Sequence, residues 1–145
     1  MAVKPIPDGY HSVTPYIVMT NAAGFIDFAQ KAFDATVKER METPAGIAHA
    51  EIRIGDSIIM LSDPLRDPML RPGYMYLYVP DTDAVYRKAL AAGAESLMEP
   101  ADQFYGDRNA GVKDQFGNTW WIATHVEDIS PEEMARRAEA ALTAK

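Results

Sequence analysis

The chain has 145 residues, with 14 basic against 21 acidic side chains and a formal net charge of −7. Its apolar share of 48% and charged share of 24% are those of a soluble globular domain, and no apolar run approaches the ~18 residues of a membrane span or forms the apolar core of an export signal. The net charge and the scattered basic residues argue against nucleic acid as a partner, and the lack of cysteine removes disulfides, thiolate nucleophiles and zinc–thiolate sites.

A cytoplasmic single domain is therefore expected. In chain order, "TPYIVMTNAAGFIDFAQKAFDAT" reads as a strand over Tyr16 to Met19, an N-cap at Asn21, and a helix whose Phe25, Phe28, Ala29 and Ala32 make one apolar face. "AHAEIRIGDSIIMLSD" follows as two alternating strands joined at a Gly55-Asp56 turn. "DPLRDPMLRPGY", rich in proline and charge, is a linker by composition.

The pattern then recurs. "MYLYVPDTDAVYRKALAAGAES" supplies a strand over Met75 to Val79, a cap at Asp81, helical apolar positions Val85, Ala89 and Leu90, and a stop at Gly93. "NAGVKDQFGNTWWIATH" gives a strand, a turn through Asp114 to Asn118 and a closing strand, with Gly117 matching Gly55. Each half is strand, helix, then two or three strands, and one helix covers only one face of such a sheet, so the halves must share a core. The tail opens a last helix with Ser130 as N-cap, Pro131 in the first turn and Glu133 completing a capping box.

A tandem βαβββ repeat carrying "TPYIVMTNAAGFIDFAQKAFDA", "HAEIRIGDSIIMLSD" and "YGDRNAGVKDQFGNTWWIATH" resembles the glyoxalase, bleomycin-resistance and extradiol-dioxygenase superfamily, also called vicinal oxygen chelate, and within it the PhnB-like branch. The resemblance implies an α+β fold of two modules, about 10–63 and 73–126, forming a cupped mixed sheet within one domain of residues 1–128, with a C-terminal helix over 129–145. Proline usually follows the turn aspartate in that family; here Gln115 stands there, while Gly117 and Asn118 remain available for positive φ. It also implies a homodimer whose second chain completes the cups, with the C-terminal helix suited to packing over the sheet or across the subunit boundary.

In metal-dependent relatives the first and last strands of each module each point one His, Gln or Glu into the cup. Laid on that pattern, this chain offers Thr14 and Tyr74 from first strands and Ile59 and Trp121 from last strands. None is a usual ligand, so no cofactor is expected, and aromatic surface suited to a planar or cationic ligand takes the ligands' place.

Trp120 and Trp121 alternate across their strand, one toward the helices and the other, Trp121 on the resemblance, into the cup. Tyr74, Tyr76 and Tyr78 share one face, as pocket wall or as ordinary strand packing. In "FYGDR", Arg108 is suited to gripping a carboxylate or phosphonate, or else pairs with Asp107 at the surface, and Tyr105 adds a further aromatic. His49 and Glu51 share a strand face with Arg53, either as a two-ligand arm or as a solvated stripe; His11 and His125 flank the strands.

Three functions stay open. A metal-free binding protein would stack a planar or aromatic antibiotic or metabolite on Trp121, Tyr74 and Tyr76, oriented by Arg108. A metal-dependent lyase or dioxygenase would need at least three of His49, Glu51, His11 and His125 to converge. A metal-free isomerase would use Tyr105 or Asp107 as proton carrier.

Overall fold

Asn21 begins the first helix through its short amide side chain. Its backbone is left-handed (φ 64°), which asparagine tolerates, and its Oδ1 accepts the N–H of Gly24 at 3.0 Å. The computed structural model describes residues 2–143. The first module runs β1 (Tyr16–Val18), α1 (Ala22–Phe33), β2 (Thr36–Thr43), β3 (Gly46–Ile54) and β4 (Ser57–Ser62). The second repeats it as β5 (Tyr74–Tyr78), α2 (Thr82–Ala91), β6 (Glu95–Asp102), β7 (Asp107–Lys113) and β8 (Thr119–His125), followed by α3 (Pro131–Thr143).

The α+β architecture of paired βαβββ modules is as expected, with three strands after each helix. Each module forms its own four-stranded mixed sheet, ordered β1-β4-β3-β2 and β5-β8-β7-β6. The outer strands β1 and β5 run parallel to β4 and β8, and the remaining pairs are antiparallel. Strand β2, "TVKERMET", is exposed along its whole length, and its charges protect the sheet edge from pairing with other chains.

The helices join the modules. Helix α1 packs on its own sheet and on α2, and its Phe25 and Phe33 reach across to Trp120 of β8. The shared core is Ile17, Phe25, Ile52, Leu61, Val112, Trp120 and Ile122, all nearly fully buried. One face of each sheet is thereby covered and the other left open. In the C-terminal helix Ser130 Oγ accepts the N–H of Glu133 at 3.2 Å as an N-cap, while the Glu133 carboxylate accepts from Arg137 at 2.7 Å. The end of the expected 129–145 segment, residues 144 and 145, lies outside the described residues.

The turn before β8 meets one expectation and changes another. Gly117 has φ 93°, a conformation glycine adopts freely. Asn118 does not share it; it acts instead through its side chain. Fully buried, it accepts the N–H of Gly73 at 2.7 Å and donates to Asp114 at 2.9 Å, tying the linker to the turn.

Candidate functional site

Strand alternation sends neighbouring tryptophans to opposite faces of the second sheet. Trp120 is 1% exposed, lies nearly parallel to Phe25 with ring centroids 6.3 Å apart, and donates its indole N–H to Asp114 at 2.9 Å. Trp121 turns to the open face. There its ring packs against the backbone of Gly111, where an added Cβ would come within 2.5 Å of the indole, and its N–H donates to the Tyr74 hydroxyl at 2.9 Å. Glycine at 111 is therefore what lets the indole approach the sheet so closely.

Around Trp121 the ladder assembles a wall. Tyr76 is its direct neighbour on β5 and Gly111 on β7, so Tyr74, Tyr76, Tyr78, Asn109 and Asp107 share its face. Tyr74, Tyr76, Met98, Tyr105, Asn109 and Trp121 border an open cavity of about 340 Å³, with Gln103 at its side.

A hydrogen-bond network holds this wall from one end. Asp107, 4% exposed, accepts from the hydroxyls of Tyr76 at 2.7 Å and Tyr78 at 2.9 Å, and pairs with His125 Nδ1 at 3.0 Å. Asn109 donates to the hydroxyls of Tyr105 at 2.7 Å and Tyr76 at 3.1 Å. Burial opposes the charge on Asp107, but hydrogen bonds from Tyr76, His125 and Tyr78 outweigh it and hold its pKa below the usual carboxylate range. Burial and the bond to Asp107 push the Tyr76 phenol up, so it stays a neutral donor. His125 is raised by Asp107 first and then by Asp128, whose carboxylate lies 2.8 Å from Nε2.

The residues singled out from the sequence divide into groups. Trp121, Tyr74, Tyr76 and Tyr105 come together in the open-face cavity. Thr14, Ile59 and His11 border a different cavity of about 260 Å³ at the junction of the modules, which Tyr76 also touches. Arg108 does not join the aromatic wall. It alternates to the helix-side face, where it holds Asp83 through two bonds of 2.7 and 2.9 Å and reaches Asp102 at 3.2 Å. Nor does it pair with Asp107, whose partners are all on the other face.

Ile59 is corrected by one register step. Tyr16 pairs with Met60 as Tyr76 pairs with Trp121, so Met60 is the repeat equivalent of Trp121, and Ile59 is 5% exposed in the core. The positions where the resemblance places metal ligands thus carry a hydroxyl, a phenol, a thioether and an indole at Thr14, Tyr74, Met60 and Trp121. That donor set does not fit a catalytic divalent metal, which needs imidazole or carboxylate. Of the four alternative ligands, His49 and Glu51 meet, with Nε2 to Oε2 at 2.8 Å, while His11 and His125 stand elsewhere. Asp107 and Asn109 as the organising polar pair were not legible as such, although period-two alternation from Trp121 through Gly111 would have found them.

Residues 10–122 match the glyoxalase/bleomycin resistance protein/dioxygenase superfamily. The chain belongs to this superfamily. An uncharacterised protein of Mycobacterium bovis is 34% identical over 137 residues, covering 85% of this chain and 89% of that protein. One from Mycobacterium tuberculosis is 34% identical over the same length, covering 85% and 79%. Among solved structures, TioX from Micromonospora sp. ML1 superposes with a TM-score of 0.69 at 20% identity, over 80% of this chain and 99% of TioX. A PhnB protein from Bacillus cereus gives 0.64 at 16% identity, over 79% and 99%. These superfamily structures share the fold of the chain. Among the described residues no helix is long and apolar enough to cross a membrane.

Proposed function

We propose that this superfamily member binds a planar or aromatic small molecule on the open face of its second sheet, without a catalytic metal, and so sequesters an antibiotic or metabolite in the cytoplasm. The observation that carries this reading is the posture of Trp121. The indole packs against Gly111, its N–H is held by Tyr74, and it borders the cavity. An aromatic ring already held in place at the wall of a concave site loses little freedom when a second ring stacks on it.

Tyr74, Tyr76 and Tyr105 give the ligand further wall, and Gln103 and Asn109 give it polar edges. The ionised Asp107 beneath the tyrosines and the net charge of −7 favour cationic over anionic ligands. Asp107 is poorly suited to proton abstraction: its oxygens already accept from Tyr76, Tyr78 and His125, and its depressed pKa makes it a weak base. The working form is a homodimer, whose second chain completes the open face.

Fluorescence titration with a panel of planar cations tests the reading. Quenching is expected in the wild type and is lost in Trp121→Ala, in which Trp120 still emits from the core. Unchanged quenching in Trp121→Ala would show that the ligand site lies elsewhere.

A further inference from the structure

The open face of the first sheet carries a second group of polar side chains, on β2 and β3, beside the ligand position Met60, which pairs with Glu51, but made of other residues. The β2–β3 ladder sets Glu39 directly opposite Glu51, and His49 lies two residues from Glu51 on the same face. One donor atom of each, an imidazole nitrogen and two carboxylate oxygens, lies within 4.8 Å of the other two. Two carboxylates directly opposite on one sheet face repel each other unless something cationic lies between them.

Glu51 is 5% exposed, an unusual place for a carboxylate, and it is fixed by the Tyr10 hydroxyl and by His49. His49 is supported in turn by Tyr16, whose hydroxyl lies 3.3 Å from Nδ1. Lys38, the nearby cation, sits over the Tyr10 ring at 4.8 Å. His49 also borders a cavity of about 470 Å³ walled by Tyr16, Val18, Met41, Leu65 and Met69.

We propose that Glu39, His49 and Glu51 form a binding site for a divalent transition metal ion, with its remaining coordination positions open toward this cavity. The donor set decides the class of ion: imidazole with two carboxylates suits zinc, cobalt, nickel, manganese or iron(II), whereas magnesium and calcium prefer oxygen alone. Ligand atoms on a zinc-sized shell stand about 3.4 Å apart. To reach that spacing the 2.8 Å contact of His49 with Glu51 opens slightly and the exposed Glu39 side chain rotates inward. With the ion on Nε2 the imidazole carries its proton on Nδ1, where the Tyr16 oxygen is placed to accept it. Tyr16 is thus a positioning residue for the ligand His49.

Cobalt(II) absorption and zinc calorimetry on the chelator-treated full chain test the site. One equivalent of cobalt is expected to give visible ligand-field bands that zinc abolishes. Glu39→Gln, at an exposed edge strand where folding is not at stake, and His49→Ala each weaken binding at least tenfold, and Tyr16→Phe weakens it less. Trp121→Ala, His11→Ala and His125→Ala leave it unchanged, which separates this site from the aromatic one. The inference is overturned if millimolar cobalt gives no bands, if Glu39→Gln and His49→Ala bind like the wild type, or if His11→Ala or His125→Ala removes the signal.

Discussion

The two faces of the second sheet use the same residue types to opposite ends. On the helix side, Trp120 is closed in by Phe25 and Phe33 and its one polar atom is satisfied by Asp114, a carboxylate that is itself 4% exposed. On the open side, Trp121 is satisfied by Tyr74, a residue 76% exposed, and its ring is only partly buried. Each face also carries a buried aspartate, bonded to the indole itself on the helix side and to tyrosine hydroxyls on the open side. Asp114 locks a turn, whereas Asp107 orders a row of tyrosine hydroxyls. Neighbouring residues on one strand therefore divide stability from recognition.

The sharpest break of this comparison comes from the tryptophans themselves. Trp120→Ala removes a fully buried indole from a packed aromatic cluster and is expected to cost about 3–5 kcal/mol. Trp121→Ala should cost less, about 1–2 kcal/mol, since its ring is only partly buried and sits outside the aromatic core. Urea unfolding of both variants reads the difference, and equal losses would mean that the open face is part of the core.

Next in size are the aspartates. Asp114 accepts the backbone N–H groups of Phe116 and Asn118, the Asn118 amide and the Trp120 indole. Asp114→Ala strands these buried donors and should cost about 3 kcal/mol. Asp107→Asn keeps an acceptor for the tyrosines and should cost about 1–2 kcal/mol, while loosening the wall enough to weaken ligand quenching. If Asp107→Asn proved the more damaging, the split between the two faces would be misdrawn.

Much of this was readable in the amino-acid order because local signals and tertiary needs agree there. Asn21, Asp81 and Ser130 cap helices by contacts within a few residues, and the Gly55-Asp56 turn needs only its own backbone. The facing of Trp120 and Trp121 follows from alternation plus the repeat. Ile59 was misplaced because β4 is apolar on both faces, with Ile58, Ile59, Met60 and Leu61 in a row, so nothing in the composition marks the register. Only the pairing of Met60 with Tyr16 does. Arg108 and Asp107 exchanged expectations for a related reason: adjacent charges on a strand point apart, and which one finds the tyrosines depends on a bond partner some thirty residues distant. Glu39 went unremarked beside His49 and Glu51 because the β2–β3 register that unites them is broken by two irregularities.

The third prediction follows from titration on the open face. His125 has a raised pKa in the folded chain, so the stability it contributes is fully present below its unfolded value of about 6.5 and is lost as pH rises through the folded value. Asp107 is depressed, so its contribution is present above about 3.9 and is lost as pH falls through the folded value. The pair is therefore at full strength from roughly pH 4 to 6.5. An NMR titration should find His125 above 6.5 in the wild type and shifted down in Asp107→Asn. An unmoved His125 would assign its shift to Asp128 and detach it from the tyrosine network.

The smallest effect is expected at Arg108, and its smallness is informative. The guanidinium holds Asp83 of α2 by two parallel bonds, yet both side chains are about one-third exposed, at 34% and 37%, so solvent screens the pair. Arg108→Ala should destabilise the fold only slightly, mostly by loosening α2 from β7. Because Arg108 lies on the helix-side face, the variant should leave ligand quenching by planar cations as it is in the wild type. A substantial loss of binding in Arg108→Ala would mean that disturbance on the covered face passes through β7 to Asp107 and Asn109, and that the two faces are coupled through the strand they share.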